Sequence, residues 1–67
     1  MMTIEVKRAA DTTWLARFSD WQDQRELWGS SWDGWLPTPF FGPAKVEHVR
    51  AALLEQNPGA KVLQVSA

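Results

Sequence analysis

The chain has 67 residues, and its seven basic and eight acidic side chains give a formal net charge of −1. A domain of this length buries only about 60% of the surface that its unfolded chain exposes, so its core is thin. Cysteine is absent, and His48 is the one histidine, which excludes disulfides, zinc–thiolate sites and histidine-rich metal sites. The five tryptophans and three phenylalanines are expected to compensate, because each ring can bury roughly 150–250 Å².

Charge and hydropathy exclude further classes. Nucleic-acid-binding domains are usually clearly basic, whereas the charges of this chain nearly balance. We therefore do not expect a nucleic-acid partner. No stretch approaches the ~18 apolar residues of a membrane span, and the first residues lack the apolar core of a signal peptide. We therefore expect a soluble, cytoplasmic protein of one domain (residues 1–67) without a membrane partner. Its composition would suit an accessory protein of a bacterial or phage genome.

The N-terminal 18 residues predict a pair of strands. Residues 3–8 alternate between polar and apolar side chains, as a half-buried strand does. Residues 12–18 can also form a strand, with Trp14, Ala16 and Phe18 on one face. The alternative is a helix over residues 12–28, with an aromatic stripe that Gly29 would end. We favour the strand, because this β-rich segment follows the first strand at hairpin distance.

The segment Trp32-Asp33-Gly34-Trp35 predicts a second hairpin. An Asp-Gly pair between strand residues favours a type I′ turn, which needs positive φ at both central residues. Trp32 and Trp35 would then face each other, and Trp28 would lie opposite Pro39 on the same face. The second arm, residues 35–40, must lie at a sheet edge because its prolines cannot donate to a ladder. Residues 19–24 are expected to form a polar connecting loop.

The C-terminal third predicts a helix followed by a strand. Gly42-Pro43 is expected to open the helix, since proline is preorganised for the first helical position. Val46, Val49 and Leu53 form its apolar stripe, and Asn57-Pro58-Gly59 ends it. Residues 60–66 then form the last strand. The order β-β-β-β-α-β predicts an α+β fold, a small antiparallel sheet with one helix packed on one face.

No catalytic or cofactor machinery is recognisable. His48 lies in the predicted helix with no spacing that pairs it with a nucleophile or a carboxylate. Acidic residues between Asp20 and Asp33 lack the spacing of a calcium loop, and the glycines form no phosphate-binding motif. We therefore predict a protein that is not an enzyme and has no cofactor and no metal site.

The concentration of tryptophans suggests a binding face. One sheet face and one helix stripe cannot easily bury five indoles, so some rings are expected on the other face, although packing in the core is the alternative. An exposed apolar patch usually marks an interaction surface, and tryptophan is enriched at binding hot spots. The candidate binding residues lie on the predicted hairpin, at its rim and in its proline-rich flank: Trp21, Trp28, Trp32, Trp35 and Phe40.

We expect this face to make the chain a protein-interaction module, with a homodimer as one form of that function. The alternative is that the rings bind carbohydrate or single-stranded nucleic acid by stacking. Acidic residues interleave with the tryptophans, which favours carbohydrate between those two ligands.

Overall fold

A computed structural model describes residues 2–65 of the chain. Its strands are β1 (Thr3–Arg8), β2 (Trp14–Phe18), β3 (Leu36–Pro37) and β4 (Lys61–Gln64). A 3-10 helix (Trp21–Gln24) leads directly into a short helix α1 (Arg25–Trp28), and the longer helix α2 (Val46–Gln56) precedes β4. Over the described residues the strands form one sheet in the order β3-β2-β1-β4. No helix within residues 2–65 is long and apolar enough to cross a membrane.

The first two strands form an antiparallel hairpin, as expected. Their register pairs Ile4 with Phe18 and Val6 with Ala16. The turn is stabilised by the Thr13 N–H, which donates to the Asp11 carboxylate at 3.1 Å. The strand interpretation of residues 12–18 is therefore confirmed, with β2 beginning at Trp14.

The α+β class is confirmed, but the sheet is mixed rather than antiparallel. β3 is antiparallel to β2, whereas β4 runs parallel to β1 and pairs Ile4 with Val62. The reason is the connection: α2 carries the chain from β3 to β4 across one face of the sheet, and a helical crossover joins parallel strands. β4 covers Lys61–Gln64 of the predicted 60–66 strand, and Ser66 lies outside the described residues.

The predicted hairpin around Asp33-Gly34 is wrong. Trp28 belongs to α1, so the first arm of that hairpin does not exist, and residues 21–24 form a 3-10 helix rather than a loop. Gly34 has the positive φ that was expected (88°), but Asp33 does not, so the turn is not type I′. Instead the Trp35 N–H donates to the Asp33 carboxylate at 3.2 Å, which turns the chain into β3. Among residues 2–65, β3 pairs with β2 alone, and β3 lies at the sheet edge, as its proline requires.

Helix α2 ends where the sequence predicts but begins three residues later than Pro43. Lys45 is its N-cap, with extended backbone, and the Lys45 N–H donates to Nδ1 of His48 at 3.1 Å. This contact satisfies a backbone donor just before the first turn, as the second half of a capping box does. Asn57 ends the helix, and its amide donates to the Leu53 carbonyl at 3.0 Å.

The core lies between α2 and one face of the sheet. Val49 and Leu53 of α2 are buried, and Val46 is partly buried beside them, which confirms the predicted stripe. The sheet contributes the other buried apolar side chains, which are Ile4, Val6, Trp14, Ala16 and Val62. One tryptophan, Trp14, therefore belongs to this core, and the other four lie elsewhere.

Arg8 and Trp14 together fasten the loop before α2 to the sheet. Arg8 donates from Nη2 to the carbonyls of Gly42, at 2.7 Å, and Ala44, at 2.5 Å. The indole N–H of Trp14 donates to the same Ala44 carbonyl at 2.9 Å. The Arg8 guanidinium also lies over the Trp14 ring, 4.8 Å from its centroid. This loop sets where α2 starts and therefore how it covers the core.

Candidate interaction surface

The sheet face opposite α2 presents charged side chains. Side chains alternate along a strand, so the neighbours of buried Val6 and Ala16 project to the other side. These neighbours include Lys7 on β1 and Arg17 on β2. Neither is fully exposed, because aromatic rings from residues 19–35 lie over them. Of the hairpin tryptophans expected on the face away from the helix, Trp35 lies against Lys7 and Arg17, and Trp21, expected at the rim, lies against Arg17.

Cations and indoles alternate across this face. The Lys7 Nζ atom lies 4.4 Å from the centroid of Trp35, and the Arg17 guanidinium carbon lies 4.6 Å from the same ring. Arg17 also lies 5.2 Å from the centroid of Trp21, which Arg25 approaches at 5.6 Å. Each such contact contributes about 0.5–1 kcal/mol when partly exposed. We call these five residues the cation–aromatic stack.

Arg17 occupies the middle of the stack and has three kinds of partner. Its Nε and Nη2 both lie 2.9 Å from Oε1 of Glu5, the neighbouring residue across the ladder. Its Nη1 donates to the Asp33 carbonyl at 3.3 Å. Arg17 therefore joins β1, β2 and the segment before β3, and it sets the position at which residues 33–35 cross the sheet.

The aromatic series continues outward from Trp21 to an exposed end. Trp32 meets Trp21 edge to face, with ring centroids 6.4 Å apart. Trp28 then lies 5.6 Å from Trp32, with their planes tilted by 33°. Trp28 is 61% exposed, and the adjacent Leu27 is 82% exposed. Leu27, Trp28 and Trp32 together are called the Trp28 patch.

Exposed carboxylates belong to the same segment as the Trp28 patch. They are Asp20, Asp23, Glu26 and Asp33. The one cation of residues 19–33, Arg25, is half-buried; its guanidinium donates to the Ser30 carbonyl and lies beside Trp21. The patch is therefore an apolar centre in a segment whose exposed charges are negative.

The structure divides the five predicted site residues into three groups. Trp21 and Trp35 are half-buried in the cation–aromatic stack, whereas Trp28 is exposed and packs on the half-buried Trp32 in the Trp28 patch. Phe40 does not join them, because it packs against the core on the α2 side. There it helps to line an apolar groove of about 320 Å³ between α2 and residues 36–40. The reason is alternation: Leu36 pairs with the core residue Ala16, and the chain continues beside β2 as far as Phe40, whose carbonyl accepts from the Trp14 N–H, so Phe40 falls on the same side as Leu36.

The site residues predicted from the sequence included neither the cations nor Leu27. Lys7 and Arg17 alternate with the core positions of two correctly predicted strands, so strand periodicity alone places them on the face opposite the helix. No comparable signal exists for Leu27, since its exposure depends on the short helix α1, which was not predicted.

The one histidine of the chain has a local structural role. His48 is exposed and caps α2 through its Nδ1 atom. Residues 2–65 contain no group of three or more histidine, aspartate or glutamate side chains that could hold a metal ion.

Comparison with known proteins gives no relative from which a function could be transferred. No family model matches the chain, and no curated protein or solved structure matches it significantly. The function of the chain is therefore inferred from the geometry of the cation–aromatic stack and the Trp28 patch.

Proposed function

We propose that this chain is a non-catalytic protein-interaction module that binds its partner through the Trp28 patch. The observation that carries the proposal is the exposure of Trp28 (61%) and Leu27 (82%) at the end of an otherwise packed aromatic series. Exposed aromatic residues surrounded by polar ones are the usual centres of protein interfaces. The patch is small, so we expect an interface at the low end of the usual size range.

The cation–aromatic stack contacts the Trp28 patch through Trp21 and Trp32. Trp21 is held between Arg17 and Arg25, and Trp32 meets the Trp21 ring by its edge. Trp32 in turn contacts Trp28. Binding at the patch then orders few additional side chains, which lowers the entropic cost of association.

The same geometry favours protein over stacked ligands. Sugars and bases stack on free ring faces, but cations of the chain itself lie over Trp21 and Trp35. The exposed carboxylates of residues 19–33, the segment that contains Trp28, would also repel phosphate groups. Carbohydrate binding at Trp28 is the second candidate, because Trp28 is the most exposed of the five tryptophans.

The partner can be a second copy or a different protein. A two-fold pairing of identical patches would place the carboxylates of both copies in one interface, where like charges repel. The charges therefore favour a different protein, and a homodimer through this patch would require high salt to screen them.

Matched variants test the proposal. Peptides would be selected from a random display library against the wild-type protein and then titrated against Trp28→Ser and Phe41→Ser. Phe41 is 66% exposed and lies outside the patch, so its replacement controls for the loss of one exposed aromatic ring. We expect the selected peptides to lose affinity for Trp28→Ser and to retain it for Phe41→Ser.

Two other results would contradict the proposal. Selected peptides that bind Trp28→Ser as well as they bind the wild type would place recognition elsewhere, and loss of binding on Ala52→Arg would assign it to the groove beside α2. Oligosaccharides that change the fluorescence of the wild type but not of Trp28→Phe would support the carbohydrate candidate instead.

A further inference from the structure

We infer that the partner of the Trp28 patch is a basic, apolar protein segment, in which lysine or arginine residues flank at least one large apolar side chain. This inference rests on the proposed function, because it names the chemistry of the partner at the same patch. It follows from the distribution of charge along the chain and from the contacts of Arg25.

Negative charge is concentrated in the segment that forms the patch. Residues 19–33 contain four carboxylates and one guanidinium, which leaves them at −3, whereas the rest of the chain carries six basic and four acidic residues and stands at +2. The net charge of −1 conceals this asymmetry. A local field of one sign selects partners of the opposite sign and accelerates their encounter.

The one cation of this segment does not offset the carboxylates at the surface. Arg25 is half-buried, donates to the Ser30 carbonyl and lies over Trp21. The guanidinium is therefore engaged by partners within the same segment. Asp20, Asp23, Glu26 and Asp33 are all exposed, so the exposed charges of the segment that contains the indole are negative.

The carboxylates also lie close to the apolar residues along the chain. Glu26 directly precedes Leu27, and Asp23 lies four residues before Leu27 in the continuous helical segment 21–28. Asp23 belongs to the 3-10 helix that leads directly into α1, so both carboxylates lie within four residues of Leu27 along the chain. A partner that places an apolar side chain on Leu27 and Trp28 would bring its adjacent cations to these carboxylates.

This arrangement discriminates among occupants. Nucleic acids and anionic lipid surfaces carry phosphates that the carboxylates repel, and a second copy would present the same negative segment. A purely basic peptide would lack the apolar group that fills the patch. A basic segment with an apolar anchor satisfies both parts of the surface.

Four synthetic peptides of equal length test the inference. Three of them have the same leucine and phenylalanine residues and no tryptophan. Their remaining positions are lysine in the first peptide, glutamine in the second and glutamate in the third. The fourth peptide is lysine-rich and has no apolar residue. Binding would be followed by the intrinsic tryptophan fluorescence of the protein at low and high salt. We expect the lysine-rich apolar peptide to bind with the highest affinity, and we expect that affinity to fall as the salt concentration increases.

Charge variants then locate the effect. The double variant Asp23→Asn/Glu26→Gln is expected to have an affinity for the lysine-rich apolar peptide that is about 3- to 10-fold lower. This reduction corresponds to the loss of two exposed ion pairs. The control Glu47→Gln/Glu55→Gln makes the same change in net charge on α2, away from the patch, and is expected to leave affinity unchanged.

The failures of the two proposals are distinguishable. If the three apolar peptides bind equally and all lose affinity for Trp28→Ser, the basic-partner inference is overturned and the interaction module stands. If the lysine-rich peptide without apolar residues binds as tightly as its apolar counterpart, recognition is only electrostatic and the inference is also overturned. If no apolar peptide responds to Trp28→Ser, both proposals fail.

Discussion

The ring of Trp21 lies directly against the α-carbon of Gly34. A β-carbon at Gly34 would stand 2.6 Å from Cγ and Cδ2 of Trp21 and 2.7 Å from Cδ of Arg17. Gly34 also has a φ of 88°, a conformation that other residues adopt only with strain. The glycine is therefore required twice, once for the turn of the backbone and once for the packing of the cation–aromatic stack.

Replacement of Gly34 by alanine should be among the most damaging small substitutions. We expect a loss of about 2–5 kcal/mol in the free energy of unfolding, from backbone strain and from displacement of Trp21 and Arg17. Gly59→Ala is the control, since Gly59 has a similar φ of 85° with nothing within 4 Å of the added carbon. Urea denaturation would measure both, and equal losses would show that Trp21 does not pack on Gly34.

Arg17 and Trp35 should contribute jointly to the free energy of unfolding through their contact on one face of the sheet. Arg17→Met keeps the aliphatic stem but removes the guanidinium, so it should cost about 1–3 kcal/mol through the lost ion pair with Glu5 and the two ring contacts. A double-mutant cycle with Trp35→Leu isolates the ring contact. A coupling energy near zero would mean that the two side chains are neighbours without a mutual contribution to stability.

Arg8 should stabilise the start of α2 through its two carbonyl contacts. Arg8→Lys keeps the charge but loses the planar guanidinium and its position over Trp14, and we expect a cost of about 1–2 kcal/mol. Amide hydrogen exchange should accelerate at Trp14, whose N–H donates to the Phe40 carbonyl at 2.9 Å. Arg50→Lys makes the same chemical change on α2, and an equal effect there would contradict the role assigned to Arg8.

Two adjacent leucines of α2 should respond very differently to truncation. Leu53 is 8% exposed in the core, so Leu53→Ala should cost roughly 2–5 kcal/mol. Leu54 is 36% exposed, and Leu54→Ala should cost well under half as much. Thermal unfolding of the two variants would measure the difference, and similar losses would place α2 in a different rotation about its axis.

The strands and the end of α2 could be predicted because their signals are local. Alternation in β1 and β2 determined which side chains face the core, and Asn57-Pro58-Gly59 ended the helix at the predicted place. The start of α2 was less predictable. The N-terminal preference of Pro43 was overridden by the loop that Arg8 and Trp14 bind, and the helix begins beyond it.

The candidate site was predictable in composition but not in arrangement. The excess of tryptophan over available core indicated an aromatic surface away from the helix. An Asp-Gly pair specifies a hairpin only where strand residues precede it, and here residues 25–28 are helical. The path of this segment depends instead on contacts between residues distant along the chain, such as the bond from Arg17 to the Asp33 carbonyl.

The amino-acid sequence by itself therefore determined the periodic elements, the face of the sheet that becomes the core and the need for glycine at position 34. Tertiary structure alone decided the parallel addition of β4, the separation of Phe40 from the tryptophans, and the contrast between half-buried Trp21 and Trp35 and exposed Trp28. The physical reason is the separation along the chain of the residues that each kind of interaction joins. Periodicity and capping act within a few residues, whereas cation–aromatic contacts and helical crossovers depend on residues that only the folded chain brings together.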